Sequence, residues 1–511
     1  MSSAQTHAHL NSIEADPSGQ SANKGNLRAT VALILASGGD ARIWPEPISG
    51  RNRYGTKTSP APDEISFSST TASNISAEGF AAASEALQQL FGTDGARSIS
   101  LDRWFDGVRT GISELLAPGS EAVLAASGTD AELLTLGIVA ALSPRPLTNV
   151  FIAPDETGKG IPLAAAGRHF SGTTALAQAV AEGQPIEGFA PGRIDARTID
   201  VRDESGRPKE PAEIDRNVAS VIEQELRRGR DILLHVLDAS KTGLTAPSRD
   251  LARALLSAAP GRVRIVVDAC QLRCPLSQLK RDLADGFMIT VTGSKFAGGP
   301  AFAGALLLPP TMRDEITSDM ALPAGLSDYT AALDWPPHFR DALKLSFKSE
   351  GNIGLGLRWI AALENLKRYA AVDGAQQKRI IDHFADEVRL RVSAIPRLAL
   401  HPDDEEHAPS RSIVSVTPLT AVNDFAPASE ADRIRLMLLD PALGPICHVG
   451  QPVRIGPRTI LRLSASVRDV AEIATRMQAG QSLEKAFAPI ASNLDVLFAK
   501  WEKLTLSGQA A

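Results

Sequence analysis

The chain has 511 residues, of which 43% are hydrophobic and 22% charged, with a formal net charge of −6. That length exceeds one ordinary domain and supports two cores. The mild acidity gives no electrostatic attraction for nucleic acid or an anionic membrane. Three cysteines, Cys270, Cys274 and Cys447, are too few for a disulfide framework and fit a reducing, cytoplasmic setting.

In chain order, residues 1–26 read as a disordered tail. The apolar run ATVALILA at 29–36 follows a long polar arm containing Glu14 and Asp16. A secretion signal has a short basic start instead, and no run approaches the length of a membrane span. Residues 27–80 form an irregular arm rich in Gly, Pro, Ser and Thr, including GGDARIWPEP, NRYG and ISFSSTTASNIS. A loop-rich segment of this length is either disordered or functional. Arg42, Trp44, Arg53 and Tyr54 favour function, with Arg42, Arg53 and Tyr54 either covering a site and reading the substrate side chain or belonging to a surface arm. Helical spacing of apolar residues follows in AEGFAAASEALQQLF (77–91) and SLDRWFDGVRTGISELL (100–116).

From about 120 to 310, helical stretches alternate with short apolar runs. These are AVLAAS (122–127), NVFIAP (149–154), DILLHVLD (231–238), RIVVDA (264–269), FMITVTGS (287–294) and GALLLP (304–309). Continuous Val/Ile/Leu runs predict strands covered on both faces, hence a mostly parallel sheet in an α/β domain spanning 81–345. Ligands collect beyond the carboxyl ends of such strands. After 345 the pattern changes. Helices GLGLRWIAALENLKRYA (354–370) and AQQKRIIDHFADEVRLRV (375–392), the runs LALHP, SIVSVTPL and TILRLSAS, and two further helices predict a smaller α+β domain over 346–511.

Three strand ends carry chemistry. Ser127, Gly128 and Thr129 open a helix after AVLAAS, with free N–H groups and hydroxyls suited to a phosphate; the same residue types cap helices in any protein. Asp268 ends RIVVDA three residues before Gln271, and a carboxylate there needs a cation or donors. Lys295 follows FMITVTGS. A phosphate turn, a carboxylate and an amine together suit pyridoxal 5′-phosphate. The amine forms a Schiff base, the carboxylate keeps the ring nitrogen protonated, and the turn grips the phosphate.

On these residues the sequence resembles the fold-type I pyridoxal-phosphate enzymes, specifically the class V aminotransferase and cysteine desulfurase group. VVDACQ (266–271) is similar to the family's Val-Asp-Ala-x-Gln, which assigns Asp268 to the ring nitrogen and Gln271 to the ring hydroxyl. TGSKFAGGPAFAGALLL (292–308) resembles its Ser-Gly-His-Lys stretch, making Lys295 the Schiff-base residue, with Ser294 and Thr292 at the phosphate. HVLDASKTGLTAP (235–247) resembles the strand and turn reading Asn-Asn-Glu-Thr-Gly. The resemblance covers roughly 65–480 and implies an aspartate aminotransferase-like fold and a homodimer with a shared site. Within it, SEGNIG places Asn352 at the partner subunit's phosphate, and TILRLSAS places Arg462 on the substrate carboxylate. Arginine suits that task because its planar fork matches a carboxylate.

Two departures bear on the reaction. No aromatic or histidine follows NVFIAP to stack on the cofactor, leaving Glu156 or Thr157 there, and Ser294 stands where desulfurases carry histidine. The resemblance implies an amino-acid substrate and an external aldimine deprotonated by Lys295, leading to transamination or α,β-lyase chemistry. Cys447, fifteen residues before Arg462, resembles the mobile-loop sulfur carrier of one desulfurase branch, with His448 placed to lower its pKa. A buried, inert cysteine is the ordinary alternative. A catalytically silent cofactor-binding regulator is a third reading.

Overall fold

The computed structural model describes residues 20–91, 99–317, 320–401, 411–420 and 424–507. Strands are numbered in chain order. β1 is Ile65–Phe67, β2 Glu121–Ala125, β3 Leu147–Ile152, β4 Ile194–Ile199, β5 Asp231–Leu237 and β6 Val263–Ala269. β7 is Met288–Thr292, β8 Gly304–Leu308, β9 Leu398–Leu400, β10 Val414–Pro418, β11 Cys447–Ile455 and β12 Arg458–Leu463.

A seven-stranded sheet has the order β2-β8-β7-β6-β5-β3-β4. The pairs from β7 across to β4 are parallel, and only β8 runs antiparallel to its two neighbours. β3, β5, β7 and β8 are buried along their whole length, as their unbroken apolar runs require. One core, with Val150, Leu234, Ile289 and Leu307, packs on one face. Another, with Leu147, Leu233, Met288 and Leu306, packs on the other. β4 was not expected. Its sequence IDARTI lies half-exposed at the sheet edge, where Asp195 and Arg197 pair at 2.8 Å, and charges of this kind interrupt an apolar pattern.

The second sheet has five strands in the order β1-β11-β12-β10-β9. β1 comes from the N-terminal arm and lies parallel to β11, with Ile65 opposite Cys447; the other pairs are antiparallel. The register slips between Gly450 and Val453, which accommodates Pro452, a residue with no N–H to donate.

Two sequence expectations need correction. Helix Gln20–Leu35 runs into the segment expected to be a tail, whose first nineteen residues lie outside the described ones. The run ATVALILA falls in and just beyond this helix and buries Val31, Ile34 and Leu35. Helix Ile353–Ala370, expected in the C-terminal unit, contributes Leu355, Leu357, Trp359 and Leu363 to the core of the large sheet. Its Arg358 is 0% exposed and donates to the carbonyls of Phe302 (2.6 Å), Leu35 (3.0 Å), Ser37 (2.5 Å) and Gly38 (2.8 Å). The guanidinium thereby holds the carbonyls that the end of helix Gln20–Leu35 leaves open. Each such charged hydrogen bond contributes roughly 1.5–3 kcal/mol relative to an unpaired carbonyl.

Candidate active site

Parallel strands put their carboxyl ends on one edge, so the residues following β3, β5, β6 and β7 converge there. Asp268 stands in register with Leu237 of β5 and Thr290 of β7. Its Oδ1 accepts the Cys270 N–H at 3.0 Å, and among the described residues the carboxylate has no ion-pair partner. On β5, His235 lies 3.2 Å from Glu132 without hydrogen-bond geometry. Burial pulls the His235 pKa down, but the charges of Glu132 and Asp268 outweigh it and raise the value.

Lys295 is half-buried, and its ammonium has neither hydrogen bond nor ion pair among the described residues. Its backbone is fixed instead: Ser73 Oγ donates to Lys295 O at 2.9 Å, and Ser73 N donates to Ser294 O at 3.1 Å. Ser127 caps helix Gly128–Leu142, accepting from Asp130 N at 3.3 Å. A Cβ on Gly128 would stand 2.6 Å from Cys270 Sγ, so only glycine fits between the helix start and β6. The first turn keeps N–H groups without intrahelical partners. Burial raises the neighbouring Asp130 carboxyl to about 7.

Gln271 donates through Nε2 to Thr70 O at 3.1 Å, while its Oε1 and Thr70 Oγ1 are buried without partners. These orphaned atoms, the unpaired amine and carboxylate, and the glycine cradle form the donor set that pyridoxal phosphate uses. The residues present fit that group.

Other expected residues are placed differently. Thr292 donates its hydroxyl proton to Cys270 O at 2.7 Å. Asn352 was expected to reach across a dimer. It caps its own helix, accepting Leu355 N at 3.1 Å, and donates to Gly38 O at 3.0 Å, so both ends of the amide are used within the chain. Arg53 extends into solvent, and only its backbone N–H returns to Arg42 O at 3.2 Å. Arg42 is the arm's inward cation, paired with Asp40 at 2.6 Å and lying 5.3 Å over the Phe302 ring, with Tyr54 beside that ring. Glu156 does not lie free to cover a cofactor. Arg202, Ser240 (2.6 Å) and Thr242 (2.5 Å) hold its carboxylate, and the Thr157 hydroxyl turns back to Pro154 O at 3.5 Å.

Cys447 is not on a loop. It begins β11, is 0% exposed, and sits in a core with Leu497 and Trp501. Burial pushes its thiol up to about 11 despite the Lys500 charge. His448 does not activate it, because that ring bonds Glu64 at 2.7 Å. Replacing Cys447→Ala should leave turnover within about twofold and cost roughly 1–2 kcal/mol of stability. Loss of all activity in a folded variant would restore the sulfur-carrier role.

Sequence reasoning missed the hydroxyl turn at 69–73 and Arg273. Arg273 donates to Ser69 Oγ at 3.1 Å and Ala465 O at 3.3 Å, and stacks 4.4 Å over Phe296. Arg462 is 2% exposed and donates to Lys241 O (3.3 Å), Thr71 Oγ1 (3.1 Å) and Gln451 O (2.8 Å). The density of hydroxyls in SFSSTTAS was the available signal.

No family model matches the sequence, and no curated protein sequence matches it. Solved structures do resemble it. The cysteine desulfurase from Thermococcus onnurineus NA1 is 14% identical with a TM-score of 0.52, covering 87% of this chain and 95% of its own. The cysteine desulfurase CsdA from Escherichia coli is 14% identical with a TM-score of 0.52, covering 86% and 94%. The Oryza sativa TDC solved with PLP and tryptamine is 13% identical with a TM-score of 0.52, covering 96% and 89%. No helix among the described residues is long and apolar enough to cross a membrane. The large, mostly parallel sheet with a smaller sheet beside it is the fold of the fold-type I pyridoxal-phosphate enzymes.

Proposed function

We propose that this protein is a pyridoxal-phosphate-dependent enzyme acting on an amino acid, of the class V aminotransferase type, by transamination or α,β-lyase chemistry. One observation carries the reading: Lys295 and Asp268 follow adjacent parallel strands, neither with an ion-pair partner among the described residues, beside a helix start where a Cβ on Gly128 would press on Cys270. Pyridoxal phosphate, when bound, supplies an aldehyde that condenses with amines and a ring that withdraws electrons from the substrate α-carbon.

The chain supplies the rest. Lys295 would hold the cofactor through its amine and would serve as the base for the substrate α-proton. Asp268 would face the ring nitrogen as its acceptor. The first-turn N–H groups of Gly128 and Thr129 take phosphate oxygens. Arg462 binds the substrate carboxylate, with its unpartnered Nε available. A homodimer and a cytoplasmic setting stay in the proposal on the family resemblance and the cysteine content, without Asn352 as support. The desulfurase alternative draws on the same fold but has no exposed thiol at Cys447 to carry sulfur.

Full-length protein purified with pyridoxal phosphate should absorb in the visible. The band should change when the right member of an amino-acid panel is added, with a product detectable by mass. Borohydride reduction and peptide mapping should put the label on Lys295. A label on another lysine, or no band, would sink the reading. A band indifferent to every amino acid would favour a silent regulator.

A further inference from the structure

Lys295 follows β7 of the large sheet, while Arg462 stands on β12 of the second sheet. An amino acid joins its amine to its carboxylate through one carbon, so the proposed function needs these two side chains at a fixed separation. Neither sheet sets that separation alone. The hydroxyl turn after β1 touches both. It is closed on itself: Ser68 O accepts Thr71 N at 2.8 Å and Ala72 N at 3.2 Å, and Ser68 Oγ donates to Ala72 O at 2.8 Å. Thr71 Oγ1 accepts from Arg462 Nη2 at 3.1 Å and from Gln451 N at 3.0 Å. Two residues on, Ser73 Oγ donates to Lys295 O at 2.9 Å, and Ser73 N donates to Ser294 O at 3.1 Å. Ala72, between them, is buried in a cluster with Ala126, Ala301 and Phe302. Two residues of chain span at most about 7 Å, so the two contacts are tied through a short, packed segment.

The same turn is held from outside. Thr70 O accepts Gln271 Nε2 at 3.1 Å, and Ser69 Oγ donates to Ala465 O at 2.6 Å and accepts Arg273 Nη2 at 3.1 Å. The Lys295 ammonium has no hydrogen bond among the described residues, so its backbone alone aims it. We propose that Thr71 and Ser73 are positioning residues that set the distance between the Arg462 guanidinium and the Lys295 amine. This rests on the pyridoxal-phosphate reading, with Arg462 as its carboxylate site, and adds how the two halves of that site are kept in register. Each acts through another residue: Thr71 through the arginine side chain, Ser73 through the lysine backbone. A shift of about 1 Å at a reacting pair costs on the order of 10²-fold in rate, so these bonds matter more to rate than to stability.

The test uses the full-length protein loaded with pyridoxal phosphate and two probes, aminooxyacetate and O-methylhydroxylamine. Either probe's amine replaces the lysine amine at the aldehyde carbon, which frees Lys295 and removes the visible band. Only aminooxyacetate carries a carboxylate. The rate of band loss with each probe is divided by that probe's rate with free pyridoxal phosphate. The wild-type protein should favour aminooxyacetate by about 10²-fold. Thr71→Val and Ser73→Ala should each cut that preference about 10-fold, with the O-methylhydroxylamine rate kept within about threefold. The double variant should cut it little further, because either break frees the same pair. Thr71→Ser keeps the hydroxyl and should keep the preference. So should Ser113→Ala, which removes a 2.7 Å hydrogen bond to Ser120 O from helix Leu101–Leu116. A preference that survives both substitutions, or that falls equally in Ser113→Ala, overturns the positioning role while the cofactor reading stands. Wild-type protein that treats the two probes alike does the same. A wild-type protein with no band fails the cofactor reading, and this proposal with it. Should Ser73→Ala not fold, the comparison of Thr71→Val with Thr71→Ser decides alone.

Discussion

Lys295→Ala should reduce product formation by at least about 10³-fold, because in the proposed function the same amine anchors the cofactor and moves the α-proton. Folding should be nearly untouched. The side chain is half-buried and makes no hydrogen bond among the described residues, so its removal should change stability by less than about 1 kcal/mol. The contrast is diagnostic: a structural lysine would show the reverse, with lost stability and retained turnover. Small added amines should restore part of the activity by supplying the missing base. Thermal unfolding measured beside steady-state rates checks both halves. A folded Lys295→Ala protein with more than about a tenth of wild-type turnover would end this account.

Asp268→Asn carries the second large effect. Asparagine has nearly the same shape and keeps an oxygen to accept the Cys270 N–H, so the local hydrogen bond survives. What disappears is the charge that, in the proposed function, holds a proton on the cofactor nitrogen. Turnover should fall by about 10²–10³-fold while the cofactor still binds, and the visible band should shift. His235 provides an independent readout. Its pKa is raised by Glu132 and Asp268 together, so loss of the Asp268 charge should lower it, as NMR titration of the imidazole would show. Were Asp268 only a cap for Cys270, the asparagine variant would be as active as wild type.

The strand-end residues of the candidate site were legible because they are written locally: Asp268 and Lys295 each close an apolar run, and Ser127-Gly128-Thr129 opens a helix. The contacts that join distant residues were not legible. Gln271 meets Thr70 across 201 positions, and Arg462 meets Thr71 across 391. Asn352 misled because a helix cap and a phosphate contact call for the same side chain. Arg53 and Arg42 flank the same arm, and only packing against Phe302 and Asp40 identifies the inward one. β11 escaped detection because Gly450, Gln451 and Pro452 break its apolar alternation, which made Cys447 look like a loop residue. The carbonyl clamp by Arg358 had no sequence signature, since its partners lie on two segments far from it in the chain.

The serine–threonine turn after β1 also sets an order of events. Ser69 bonds Ser464 and Ala465, 395 and 396 positions later, while Ser73 bonds the backbone of Lys295. A ribosome must therefore deliver nearly the whole chain before this turn can settle, although the lysine and its sheet are synthesised much earlier. Long-range closures of this kind are slow. The seven strands of the large sheet, ending at Leu308, are therefore all made long before the residues that close this turn over them.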